Sequence, residues 1–122
     1  MNKKILIIDD NPDDQLILKR LFNNWDYFNI QTADDGDVGL EKVKEDRPDL
    51  IMLDVLMPRM NGFEVLMTLK TDPVLSSIPV VIFTSEKDAR SLFHNKNHHA
   101  DFYLPKPVKP ENLIPFVKLV LN

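Results

Sequence analysis

Apolar residues in this chain come in short blocks, and each block ends on a polar side chain. Ile5 to Ile8 leads into Asp9-Asp10, Leu50 to Leu53 into Asp54, Val80 to Phe83 into Thr84, and Phe102 to Pro105 into Lys106. Apolar runs of this length, with no polar residue at every second position, predict parallel strands buried on both faces. The fourth of the predicted strands extends back to Ile78, and a further strand is predicted from Asn29 to Ala33, closed by the turn signal Asp34-Asp35-Gly36. Helical spacing fills the intervals. Asn11-Pro12-Asp13 reads as an N-cap with proline in the first helical position, followed by Leu18, Leu21, Phe22 and Trp25 on one stripe. Leu40 and Val43 mark a helix from about residue 37 to 46, stopped by Arg47-Pro48. Phe63, Leu66 and Leu69 mark another after Gly62, and Leu113, Val117 and Val120 a last one opening near Pro110. From residue 86 to 96 the pattern is weaker, with only Ala89, Leu92 and Phe93 as an apolar face.

Strand and helix alternate through five units, which predicts an α/β fold: a doubly wound, five-stranded parallel sheet with helices on both faces. A chain of 122 residues is expected to form one domain, 1–122, with no repeat or linker. The carboxyl ends of such strands are where open α/β sheets place ligand chemistry. The polar residues that end the runs therefore share one rim.

Composition narrows the function classes. The net charge of −4 gives no cationic surface for nucleic acid or anionic lipid. There is no cysteine, which removes disulfides and thiolate metal sites. No apolar stretch approaches the roughly 20 residues that span a bilayer, and the basic start gives way to Asp9 too soon for a signal peptide. A cytoplasmic protein is the simplest expectation.

The rim residues suit a divalent metal and a phosphoryl group. Asp9 and Asp10 project to opposite sides if strand geometry persists through them. They can serve as caps for the following helix, where negative charge is favourable. Asp54 at a strand end has no such structural use. Burying these carboxylates unpaired would cost on the order of several kcal/mol, and a hard cation with oxygen ligands offsets that cost. Asp54 is the candidate nucleophile, able to accept a phosphoryl group as an acyl phosphate. Lys106, held between Pro105 and Pro107, offers a point charge for a phosphate oxygen, although a lone lysine is ordinarily a surface residue. Thr84 can donate its hydroxyl to that phosphate or cap the helix that follows.

The segments Ile-Ile-Asp-Asp-Asn, Leu-Asp-Val-Leu-Met-Pro-Arg-Met-Asn-Gly, Ile-Phe-Thr-Ser and Tyr-Leu-Pro-Lys-Pro together resemble the receiver domain of bacterial two-component response regulators, in order and spacing, over essentially the whole chain. The resemblance implies a flavodoxin-like (βα)5 fold with strand order 2-1-3-4-5. It implies that Asp54 takes phosphate from a sensor histidine kinase or histidine phosphotransfer protein. It also implies Mg2+ on Asp10, Asp54 and the backbone carbonyl of Leu56, with Asp9 acting largely through water. Lys106 looks like the family's phosphate-binding lysine. Thr84 and Tyr103 look like its switch pair, with Tyr103 otherwise an ordinary strand aromatic. The implied protein is a phosphoacceptor switch that catalyses only its own phosphorylation and dephosphorylation. It would present a changed surface around residues 86–96, the last strand and the last helix to a downstream protein target, with homodimerisation on phosphorylation left open.

Three features qualify the resemblance. The sequence ends with the last helix, so output is expected through protein partners or as a phosphorelay intermediate, with a fragment of a longer regulator left open. His99-Ala100 stands where the family often has Gly-Ala. His94, His98 and His99 superficially suggest zinc, but the intervening Asn95, Lys96 and Asn97 make a solvated loop the better expectation. Met52, Met57, Met60 and Met67 are read as packing. A Mg2+-dependent aspartyl phosphohydrolase of the haloacid-dehalogenase type usually has a second Asp where Leu56 stands. A receiver-like module that never becomes phosphorylated would not need Asp9, Asp10, Asp54, Thr84 and Lys106 intact. Leu56 cannot hydrogen-bond a hydrolytic water, although Glu86, two residues after Thr84, could, and a fairly long-lived phosphoaspartate is expected. Leu56→Asn should speed the loss of radiolabelled phosphate, and an unchanged decay would count against that role.

Overall fold

The computed structural model describes residues 3–23, 28–55, 57, 62–85, 101–106 and 108–121. Among these, five strands are β1 (Lys3–Ile8), β2 (Phe28–Ala33), β3 (Leu50–Leu53), β4 (Val80–Ser85) and β5 (Phe102–Lys106). The helices are α1 (Pro12–Asn23), α2 (Gly36–Glu45), α3 (Gly62–Thr71) and α4 (Pro110–Leu121). The strands form one parallel sheet in the order β2-β1-β3-β4-β5, as the fold class and the resemblance led us to expect.

Strict alternation along each central strand divides its side chains between two dry cores. Leu6 and Ile8 of β1, Ile51 and Leu53 of β3, and Val80 and Ile82 of β4 pack with Val43 of α2 and Val65, Leu66 and Leu69 of α3. The intervening residues Ile5, Ile7, Leu50, Met52, Val81 and Phe83 pack with Leu18 and Phe22 of α1 and Leu113 and Val117 of α4. Both faces are apolar, which is why the sequence shows runs instead of alternation. Each such side chain contributes roughly 1.5–3 kcal/mol of burial free energy.

Edge strands depart from that expectation. In β2, Asn29 and Gln31 are exposed, and in β5 Phe102 and Pro105 are exposed. Each edge has a neighbour on one side only, so the two-sided burial predicted for every strand holds for β1, β3 and β4 and fails at the margins. Boundaries also move: β4 begins at Val80 instead of Ile78 and continues through Thr84 and Ser85, and Lys106 is the last residue of β5 instead of lying beyond it.

Local chemistry fixes the helix starts. Asn11 Oδ1 accepts hydrogen bonds from the backbone N–H groups of Asp13 (2.9 Å) and Asp14 (3.3 Å), the cap expected ahead of Pro12. Asp35 caps α2 by accepting from the Val38 N–H at 2.9 Å. Lys70 ties the end of α3 to the β4 approach, donating to the Ser76 and Ile78 carbonyls and to Asp101, whose carboxylate also accepts from the Val80 N–H. Trp25, the helix expected over 86–96, and His94, His98 and His99 lie outside the described residues.

Gly62 opens α3 directly beneath the end of β3, its N–H donating to the Val55 carbonyl at 2.9 Å. A methyl group there would meet the Asp54 carbonyl oxygen and Val55 Cα at 2.4 Å, and both are main-chain atoms that cannot rotate aside. Gly62→Ala should therefore cost about 2 kcal/mol or more of stability in a urea melt; a change of a few tenths would show that the helix shifts freely.

Candidate functional site

Period-two geometry gathers the chemistry. Asp9 follows Ile7 and Asp54 follows Met52 on the α1 and α4 side of the sheet, the side to which Leu104, two residues before Lys106, also packs. Asp9 donates its N–H to the Ala33 carbonyl (3.0 Å), and Asp54 donates its own to Ile8 (2.9 Å). The Gln15 amide, from the first turns of α1, donates to the Asp9 carbonyl and to Asp34, fixing the corner where β1 ends. That corner turns Asp10 back toward its neighbours. The carboxylates of Asp9, Asp10 and Asp54 each bring an oxygen within 4.8 Å of the others, so the opposed orientation expected for Asp9 and Asp10 does not occur. Strand geometry ends at Ile8.

Lys106 reaches this group from β5. Its Nζ donates to Asp14 Oδ2 (2.6 Å), Asp9 Oδ2 (3.1 Å) and Asp54 Oδ2 (3.2 Å), and lies 4.8 Å from the centre of the Phe83 ring. Asp9 and Asp54 are buried, while Asp10 is exposed. Burial pushes the Asp9 carboxyl from its ordinary 3.8 up to about 7, against the Asn11 N–H that donates to it and the Lys106 charge, with the Asp54 charge adding to the rise. Burial works against the Lys106 ammonium too. The Asp14 hydrogen bond and the charges of Asp54 and Asp9 outweigh it and hold that group above its ordinary range.

Thr84 and Tyr103 belong to the opposite face. Thr84 is buried and follows Ile82 in alternation, and Tyr103 pairs with Ile82 in register and packs against the α2 and α3 core. Since β4 continues through Ser85, Thr84 is a sheet residue and not a helix cap. Leu56, whose backbone carbonyl was expected among the metal ligands, lies outside the described residues.

The family model for the response regulator receiver domain matches residues 5–118. The chain belongs to that family. PilH of Pseudomonas aeruginosa is 31% identical over 118 residues, 97% of this chain and 97% of PilH. The DNA-binding response regulator MtrA of Mycolicibacterium smegmatis is 34% identical over the whole of this chain, which spans only 52% of MtrA. Among solved structures, the chemotaxis response regulator CheY4 of Vibrio cholerae superposes with a TM-score of 0.87 at 28% identity, covering 99% of this chain and all of CheY4. The receiver domain of a signal transduction histidine kinase from Syntrophus aciditrophicus gives the same TM-score at 34% identity, covering 98% of this chain and 89% of that one. Receivers are signalling switches of two-component systems that interact with histidine kinases and downstream targets, and are generally not enzymes in the usual sense.

Sequence reading missed one member of this receiver's polar group. Asp14 makes the shortest of the three bonds to Lys106. Its signal was present: Asp14 stands four residues before Leu18 and eight before Phe22, on the stripe of α1 that faces the sheet. A carboxylate on the inward stripe of a helix that starts at the rim points into the rim.

The raised Asp9 carboxyl has a consequence for stability. The folded protein holds the Asp9 proton more tightly than the unfolded chain, so ionising the group weakens the fold progressively between pH 3.8 and about 7 and fully above that. Asp9→Asn should raise the metal-free melting temperature above pH 7, and the gain should shrink as the pH falls and vanish toward pH 4. A gain independent of pH would contradict that origin.

Proposed function

We propose that this receiver accepts a phosphoryl group on the Asp54 carboxylate from the phosphohistidine of a sensor histidine kinase or histidine phosphotransfer protein. The observation that carries the reading is the Lys106 ammonium 3.2 Å from an Asp54 carboxylate that lies within a cluster of three acids. A carboxylate oxygen attacks phosphorus while the bond from phosphorus to the histidine nitrogen breaks. The imidazole leaves with the electron pair and takes a proton from solvent. The product is an acyl phosphate on Asp54. Such transfer depends on position and on neutralising the phosphoryl oxygens, which is the work of Lys106. The Thr84 hydroxyl donates to a phosphoryl oxygen, and Tyr103 follows it on the α2 and α3 face.

The donor set fits a hard cation: carboxylates only, gathered at one point, with Asp9 buried so that its charged form is costly without a cation. Asp9, Asp10 and Asp54, with the Leu56 backbone carbonyl, would hold Mg2+. Bound there, Mg2+ would neutralise the carboxylates and the incoming phosphate oxygens so that two anions can meet.

The unit from 1 to 122 acts as one receiver domain in the cytoplasm, and its phosphorylation shifts a pre-existing equilibrium between two surfaces. Output runs through a downstream protein target, with phosphorylation-linked homodimerisation a further route. Nucleic acid and membrane are not its partners. Supporting this are the net charge of −4 and the apolar surface that Phe102, edge-on to Phe116 at 4.6 Å, and exposed Leu119 present at β5 and α4. Among the described residues no helix is long and apolar enough to cross a membrane.

Intact mass after incubation with acetyl phosphate and Mg2+ should rise by one phosphoryl group per chain, about 80 Da by the chemistry of acyl phosphate formation. Asp54→Asn should show no gain. Labelling of the variant, or sustained release of phosphate from a small phosphomonoester, would contradict the reading.

A further inference from the structure

We propose that Asp14 is a positioning residue that restrains phosphorylation: it holds Lys106 on the α1 side of the rim, and a phosphoryl group on Asp54 must win the ammonium from it. The inference rests on Asp54 being the phosphoacceptor. An ammonium has three N–H donors, and the carboxylates of Asp9, Asp14 and Asp54 take them. Any new contact to a phosphoryl oxygen therefore replaces one of these. The Asp14 bond, at 2.6 Å, is the shortest, and charge-assisted bonds of that length are the strong ones. Asp14 is also fixed at its base, because its N–H is tied to the Asn11 cap in the first turn of α1.

Charge acts in the same direction. Through the shared ammonium, the Asp14 carboxylate lies no farther from that of Asp54 than two hydrogen bonds laid end to end. It is not one of the three acids whose oxygens converge for a cation, so a metal ligated by those three does not bind it. Phosphorylation replaces the single charge of the Asp54 carboxylate with a phosphate of roughly −1.5 to −2 beside Asp14. Repulsion and competition for Lys106 both favour the unphosphorylated receiver.

The test compares wild type, Asp14→Asn and Asp13→Asn. Asp13 is exposed on the same helical turn, so its replacement removes the same charge from the helix start without touching Lys106. Two quantities are measured: beryllofluoride affinity by calorimetry with Mg2+ present, and the 15N resonance of the Lys106 ammonium in the ligand-free protein. Asp14→Asn should bind beryllofluoride roughly fivefold more tightly and move the Lys106 resonance. Asp13→Asn should match wild type in both. An unmoved resonance, equal or weaker binding by Asp14→Asn, or an equal gain in Asp13→Asn overturns the restraint alone. Failure of all three proteins, wild type included, to bind beryllofluoride overturns the phosphoacceptor reading and the restraint with it.

Discussion

One ammonium faces three carboxylates at the rim of the sheet, and the function proposed for this receiver depends on that imbalance. Lys106 bonds Asp9, Asp14 and Asp54, while Asp10 stands beside them. A single positive charge faces several carboxylates, and the Asp9 carboxyl is raised chiefly by its burial, with the Asp54 charge adding to the rise. The geometry rests on register. Because β5 pairs with β4 so that Ser85 lies opposite Lys106, the ammonium emerges on the face that carries Asp9 and Asp54. A slip of one residue would turn Lys106 to the other face and leave the acids without it.

The same alternation separates two tasks. The charged groups gather on the α1 and α4 face, whereas Thr84 and Tyr103 sit toward α2 and α3. Leu53 pairs with Ile82 and Ile82 with Tyr103, so the strand that ends in Asp54 lies directly beside the strand bearing Thr84 and one strand from Tyr103. The charged rim and the Thr84 and Tyr103 side are thus joined by adjacent strands of one hydrogen-bonded sheet.

Fold class was legible in the sequence because the central strands are buried on both sides and read as plain apolar runs, whereas the strand order came only from the family resemblance. The edges were less legible. Asn29 and Gln31 in β2, and Phe102 in β5, face solvent on strands with one neighbour, a circumstance no local pattern reports. Strand ends were also misplaced where a polar residue continues the ladder, as Thr84 and Lys106 do. Asp9, Asp10, Asp54 and Lys106 were legible as a group because each closes an apolar run. Asp14 was not, because it belongs to a helix and enters the site through its spacing from Leu18 and Phe22. The convergence of Asp9 and Asp10 required the corner held by Gln15, a contact to the main chain that sequence does not display.

The balance of charge is open to one direct measurement: Mg2+ titrated calorimetrically into wild type and Lys106→Met at a pH above 7. If the ammonium and a divalent cation share the same carboxylates, removing the ammonium should make Mg2+ bind more tightly, at one ion per chain. Equal or weaker binding by the variant would contradict the proposal that the rim is an acidic group short of positive charge.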